Sequence, residues 1–202
     1  AVLGPYNFPA HLPNGHIIPA LALGNAVVFK PSDKAPMVGQ TLGAWLQEAL
    51  GAEGAPEGVV NVVHGGADVA TRLVTHPGTN GVLFTGSWPV GRRIMELCLD
   101  EPGRILALEM GGNSPTLVMP DADLRQAAIE VVRSAFVSTG QRCTCTRRLV
   151  VHRDIAEKFV RAIVAMTSRL TIGDPFDQPE PFMGPIITEE ARRSVIDAQS
   201  RF

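Results

Sequence analysis

The chain has 202 residues, 45% of them hydrophobic and 19% charged, with 18 basic against 20 acidic side chains and a net charge of −2. This is the composition of a folded chain of one or two domains; it excludes disorder, a collagen repeat and a disulfide scaffold, and it offers nucleic acid no basic face. The most apolar stretch, Ile17 to Phe29, is interrupted by Pro19, Gly24 and Asn25, and it falls short of the roughly 20 apolar residues that a membrane helix needs.

In chain order, Ala1–Gly4 is an apolar, strand-like run. Ala26–Phe29 is a short strand stopped by Lys30-Pro31. Val38, Leu42, Trp45, Leu46 and Ala49 recur at helical spacing, with Gly51 as the stop. Val59–Val63 is a strand, and Gly65-Gly66 opens a helix with Val69, Leu73 and Val74 on one face. Gly81–Phe84 is a strand followed by a helix carrying Val90, Ile94 and Leu97, for which Ser87 can serve as cap. Ile105–Leu108 is a further strand. Apolar strands alternating with helices predict a parallel, doubly wound sheet.

The character changes near Glu109–Gly112. Pro115–Val118 is a strand, and Leu124 to Phe136 is a long amphipathic helix capped by Asp121 or Asp123. Leu149–Val151 is another strand. Asp154 with Glu157 has the form of a capping box for a helix bearing Ile155, Phe159, Ile163, Met166 and Leu170. The expected fold is therefore α/β in two parts: residues 1–110 as a cofactor-binding domain and 111–202 as a catalytic domain. Both ends fall inside predicted elements, Arg201-Phe202 within a helical pattern, so both domains read as truncated and the chain as the middle of a longer one.

Three cysteines, Cys98, Cys143 and Cys145, form no disulfide framework or four-ligand metal spacing. No metal is expected, and the compartment is expected to be reducing and cytoplasmic. Cys143 follows a Gly140-Gln141 turn and adjoins Arg142, whose cation favours the reactive thiolate; the alternative is a buried, inert thiol. Cys98, on a helix, reads as packing. Glu109 closes a strand before two glycines, where α/β active sites gather, and partial burial would tune it as a general base; the alternative is an ion pair or helix cap. Phe84–Gly91 is strand, turn and helix start, a place for phosphate or an ordinary cap. Neither a G-x-G-x-x-G nor a P-loop sequence occurs. Lys30 and Asp33 beyond a strand end can hold a ribose or form a solvated turn. Asn7, in a Pro-braced turn, can donate to an oxyanion or simply form the turn.

Taken in order, Pro5-Tyr-Asn7-Phe-Pro9, Val28-Phe-Lys30-Pro-Ser32, Phe84-Thr-Gly-Ser87, Leu108-Glu109-Met-Gly-Gly112 and Gly140-Gln-Arg-Cys143 resemble the motif series of the NAD(P)-dependent aldehyde dehydrogenase superfamily. The separation of Glu109 and Cys143 matches as well. Within it, Pro5–His16, Met110–Pro115 and Gly140–Arg148 are similar to the succinylglutamate semialdehyde dehydrogenases of arginine breakdown, although Gly-Gln-Arg-Cys also occurs in glutamate semialdehyde (pyrroline-carboxylate) dehydrogenases. Asn113 stands where many relatives carry Lys, and the downstream Glu-x-Phe-Gly-Pro motif of the family is not in this sequence.

The resemblance implies NAD as cofactor, with Lys30 and Asp33 at the adenosine ribose and Gly66 near the adenine. Gly86, Ser87 and the turn of Trp88, Pro89, Val90 and Gly91 would meet the pyrophosphate. Cys143 would be the nucleophile, Asn7 and the Cys143 N–H the oxyanion donors, and Glu109 the base that activates water. On residue chemistry, Arg142 beside the nucleophile would hold an anionic semialdehyde through its guanidinium or serve only to favour the Cys143 thiolate. The expected partners are that small substrate and, in the whole protein, further copies of itself, with neither nucleic acid nor membrane. Two rivals stand beside this reading: a cysteine hydrolase, which needs a histidine beside Cys143, and an inactive structural chain.

Overall fold

Four short apolar runs and the apolar N-terminus become five parallel strands in the computed structural model, which describes residues 1–201. They are β1 (Val2–Leu3), β2 (Val27–Lys30), β3 (Val60–Val62), β4 (Gly81–Thr85) and β5 (Ile105–Glu109), laid side by side in the order β3-β2-β1-β4-β5. Val2 stands in register with Phe29 on one side and Leu83 on the other. Four helices connect them: α1 (His11–Ala22), α2 (Pro36–Ala52), α3 (Ala67–Thr75) and α4 (Trp88–Leu97).

Successive side chains of a strand face opposite ways, and this alternation divides the core into two layers. Val2, Val27 and Phe29 pack with Ile17 of α1 and Leu42 of α2, with Leu83 beside them. Leu3, Val82 and Phe84 pack with Val74 of α3, Ile94 of α4 and Cys98. Helices therefore cover both faces, as a doubly wound sheet requires. The strand order reverses between β1 and β4, and in such sheets ligands bind outside the carboxyl ends of the strands at that reversal.

Several local features differ from the sequence reading. The residues of α1 include Pro13, Gly15 and Pro19, and an interior proline costs about 3 kcal/mol. The helix persists because Ile17 is fully buried against the sheet. In α2 the buried positions are Gly39, Leu42 and Gly43, while Trp45 is 66% exposed and Val38 is also exposed. Gly51 lies within α2; the left-handed residue just past its end is Gly54, at φ 74°.

The residues divide into two compact units, Ala1–Gly111 and the chain from Gly112 onward. In the second, β6 (Ser114–Val118) and β7 (Thr146–Val151) pair in parallel, joined through α5 (Leu124–Phe136) and a short 3-10 turn, Val137–Gly140. Asp123 caps α5, its Oδ1 accepting from Arg125 N and Gln126 N at 2.9 and 3.1 Å. The core is Val118, Ala128, Val131 and Phe159, the last from α6 (Arg153–Thr167).

The expected Asp154–Glu157 capping box is not formed. His152 is the N-cap, its Nδ1 accepting from Asp154 N, and Glu157 pairs instead with Arg161 one turn on. Leu170 lies beyond the end of α6. The last helix, α7 (Glu189–Gln199), is capped by Thr188; of the predicted helical ending at Arg201-Phe202, Phe202 lies outside the described residues.

Candidate active site

In the first unit, Asn7 sits in the bend that follows β1, at the strand reversal. Its Oδ1 accepts from Phe8 N at 3.1 Å, which ties the side chain to its own turn. Across the reversal, His16 of α1 meets Thr85 at the end of β4, Nε2 to Oγ1 3.4 Å. His16 and Thr85 lie within the motif strings of the sequence, but nothing local in those strings assigns them to each other, 69 positions apart.

Lys30 is not in a solvated turn. It is the last residue of β2, only 8% exposed. Its Nζ donates to Pro31 O at 2.8 Å and to Gly65 O at 2.9 Å, which ties the end of β2 to the loop after β3. Burial pushes its pKa below the ordinary lysine value, and the nearby Asp33 and Asp68 oppose that shift. An ammonium carries three donors, so two carbonyls do not exhaust it. Asp33 is exposed, and a 3.0 Å hydrogen bond from Lys34 holds its carboxyl below the usual range.

Gly66 precedes α3 as its N-cap. Gly86 closes on the Phe84 ring, and its N–H bonds Glu109 O at 2.9 Å. Trp88, Pro89, Val90 and Gly91 form the first turn of α4, the helix start expected from the sequence. Ser87 makes no side-chain cap bond there. Gly91 is buried against Met110, and its N–H is bonded to Ser87 O at 3.0 Å, so it has no donor for a phosphate. Helix geometry leaves Trp88 and Val90 to present N–H groups, Pro89 having none. Glu109 is exposed at the end of β5, so the burial expected there is absent.

In the second unit the turn before Cys143 is an unusual piece of backbone. Ser138, Thr139 and Gly140 are all left-handed, at φ 57°, 58° and 67°. Two of the three carry a Cβ, and such conformations persist only where neighbours enforce them. Thr139 Oγ1 donates to Gly184 O at 2.9 Å, Gln141 Oε1 accepts from Ile187 N at 3.0 Å, and Arg147 donates to Gly140 O at 2.7 Å. Cys143 is exposed immediately beyond, Arg142 is half-buried beside it, and Cys145 is 1% exposed.

Behind this turn, Thr146 bonds both Thr116 and Ser134 through its hydroxyl at 2.8 Å, joining β6, β7 and α5. Arg148 donates to Asn113 O. Arg147 and Arg148 therefore serve the backbone of their own unit. Sequence reasoning named Cys143 and its Gly140-Gln141 turn but not the bonds of Thr139 and Gln141, whose partners lie more than forty positions away.

A cysteine hydrolase would need a histidine within hydrogen-bond reach of Cys143. Within the second unit the only histidine is His152, at the far end of β7. Six extended residues place it about 20 Å along the strand.

The family model described as the aldehyde dehydrogenase family matches residues 1–201. The chain is 50% identical over 191 residues to an N-succinylglutamate 5-semialdehyde dehydrogenase of Sphingopyxis alaskensis, covering 95% of this chain and 39% of that protein. It is 48% identical over 202 residues to one of Caulobacter vibrioides, covering 100% of this chain and 42% of that protein. It thus spans about two-fifths of the length of the curated relatives it matches. Among solved structures, a glyceraldehyde-3-phosphate dehydrogenase of Methanocaldococcus jannaschii complexed with NADP matches with TM-score 0.91 and 33% identity, over 98% of this chain and 44% of that one. A gamma-glutamyl-gamma-aminobutyraldehyde dehydrogenase of Burkholderia cenocepacia matches with TM-score 0.89 and 37% identity, over 98% and 39%.

Proposed function

The chain belongs to the aldehyde dehydrogenase family, and from that premise we propose that the whole protein oxidises N-succinyl-L-glutamate 5-semialdehyde to N-succinyl-L-glutamate, with NAD, in arginine catabolism. The observation that carries the substrate is the 48–50% identity, over nearly the whole of this chain, to relatives named for that reaction. The runner-up is another anionic semialdehyde, glutamate semialdehyde first, because the Gly140-Gln-Arg-Cys143 string is shared with that group of dehydrogenases.

The residues of the first unit fit a dinucleotide. Trp88 and Val90 N–H groups at a helix start suit a pyrophosphate, Gly66 leaves room near an adenine, and Lys30 with Asp33 suits a ribose. Asp33, kept ionised by Lys34, disfavours a ribose 2′-phosphate by like-charge repulsion, and this is the reason for preferring NAD over NADP.

In this reading Cys143, as thiolate, attacks the aldehyde carbon and forms a tetrahedral thiohemiacetal. Its own N–H and the Asn7 amide carry the oxyanion, a contact worth about 3–4 kcal/mol in comparable sites. NAD, when bound, supplies the hydride acceptor for this chemistry. Glu109 takes a proton from water as that water attacks the resulting thioester and releases the acid, the thiolate leaving. Arg142 holds a substrate carboxylate.

The test is reduced-cofactor absorbance on mixing the whole protein with NAD and each semialdehyde. The succinylated substrate should give the highest kcat/KM, and Cys143→Ser should abolish turnover while cofactor binding persists. A preference for neutral aldehydes would overturn the substrate. Near-normal turnover in Cys143→Ser would overturn the mechanism. For Arg142→Met, KM should rise for the anionic semialdehyde and stay unchanged for a neutral aldehyde.

A further inference from the structure

We propose that Gly112 is a positioning residue for Cys143: the absence of a side chain at this position lets the Cys143 peptide settle against the start of β6. A Cβ built on Gly112 would stand 2.8 Å from the carbonyl oxygen of Cys143, with Ser114 Oγ next at 3.5 Å. The obstructing atom is backbone, so no side-chain rotation relieves the overlap. Gly112 itself lies outside the left-handed region, so the contact alone excludes a larger residue there.

Its neighbour offers the opposite case. Gly111 is left-handed at φ 83° and would meet nothing within 4 Å. Of the two consecutive glycines, one answers a conformational demand and the other a spatial one.

The Cys143 peptide is also held from the preceding side. The left-handed run Ser138–Gly140 is pinned by the bonds of Thr139, Gln141 and Arg147, and Cys145 N bonds back to Arg142 O at 3.3 Å. A methyl group at Gly112 therefore meets a carbonyl with little freedom to retreat, and the Cys143 backbone, with its N–H and sulfur, moves. Misplacement of reacting groups by about 1 Å costs on the order of 100-fold in rate. This inference rests on Cys143 being the nucleophile of the proposed reaction.

The experiment compares Gly112→Ala, Gly111→Ala and the unmodified whole protein in three measurements: steady-state kinetics, the pH profile of Cys143 alkylation by iodoacetamide, and thermal melting. For Gly112→Ala, kcat should fall about 10- to 100-fold, with KM for aldehyde and NAD little changed and the alkylation profile displaced. Gly111→Ala should melt earlier yet keep the unmodified protein's kcat and alkylation profile. Unchanged kcat and alkylation in Gly112→Ala, or an equal kcat loss in both variants, overturns the proposal. If Gly112→Ala does not fold, Thr139→Gly decides, because it loosens the same peptide from the other side. Lost kcat at constant KM then supports the seating of Cys143 by contact, and an unmodified kcat overturns it. If the unmodified protein oxidises no semialdehyde, the proposed function fails, and the alkylation comparison still judges Gly112.

Discussion

Replacing Lys30 by Met keeps the apolar stem of the side chain and removes the ammonium. Two hydrogen bonds disappear, to Pro31 O at 2.8 Å and Gly65 O at 2.9 Å. Each bond from a charged donor is worth about 1.5–3 kcal/mol. Against this stands the desolvation of the ammonium of a residue that is 8% exposed, which Met does not incur. The net loss should be about 1–3 kcal/mol, concentrated where β2 meets β3. The assay is amide hydrogen exchange in the whole protein, read at Val63, whose N–H bonds Phe29 O, and at Gly4, whose N–H bonds Lys30 O. These amides should exchange about 5- to 150-fold faster in Lys30→Met, since each 1.4 kcal/mol is tenfold.

The pH dependence has a definite sign. Burial holds the Lys30 pKa below the ordinary 10.5, so the unfolded chain keeps this proton to higher pH than the folded one. Stability from this residue is flat below the folded value and rises with pH from there up to 10.5. In Lys30→Met that rise should vanish. Unchanged exchange at Val63 and Gly4, or an unchanged rise with pH in the variant, would refute the role given to the buried ammonium.

Glu109→Gln should slow thioester hydrolysis more than hydride transfer, so a stopped-flow trace shows a burst of reduced cofactor before a slow steady state; equal loss of both phases counts against Glu109 as the base. Asp123→Ala removes the side-chain acceptor for Arg125 N and Gln126 N and should destabilise α5 by about 1 kcal/mol, read as faster exchange in its first turn. Phe159→Ala empties a site that is 1% exposed in the core of the second unit and should cost about 3–5 kcal/mol by thermal or denaturant unfolding. Glu189→Gln removes an exposed pairing with Arg192 and Arg193, and the melting temperature should barely move, with any difference lost in high salt.

What the sequence alone determined were the features whose cause is local. β2 to β5 are short, mostly apolar runs between glycines and prolines, α5 shows its apolar period, and Asp123 stands one residue before that period begins. The ordered motifs around Asn7, Lys30, Glu109 and Cys143 were legible as a family resemblance, because each is a short string of adjacent residues.

Tertiary structure decided whatever depends on a partner distant in sequence. α1 forms through Pro19 because Ile17 finds the sheet beneath it, and no helix propensity contains that fact. Helical spacing marked Trp45 as core, yet the sheet meets α2 along Gly39, Leu42 and Gly43. Lys30 looked solvated beside Pro31-Ser32-Asp33, and it is buried because the loop at Gly65 closes over its ammonium. The Cys143 turn stays left-handed because Gly184 and Ile187 hold it from more than forty residues downstream. Gly111 and Gly112 are identical letters, and only the fold separates them, by a dihedral angle at one and a carbonyl oxygen at the other. Local sequence sets the conformations a segment can adopt at low cost, and the packing of distant segments selects among them and sometimes enforces one that costs more.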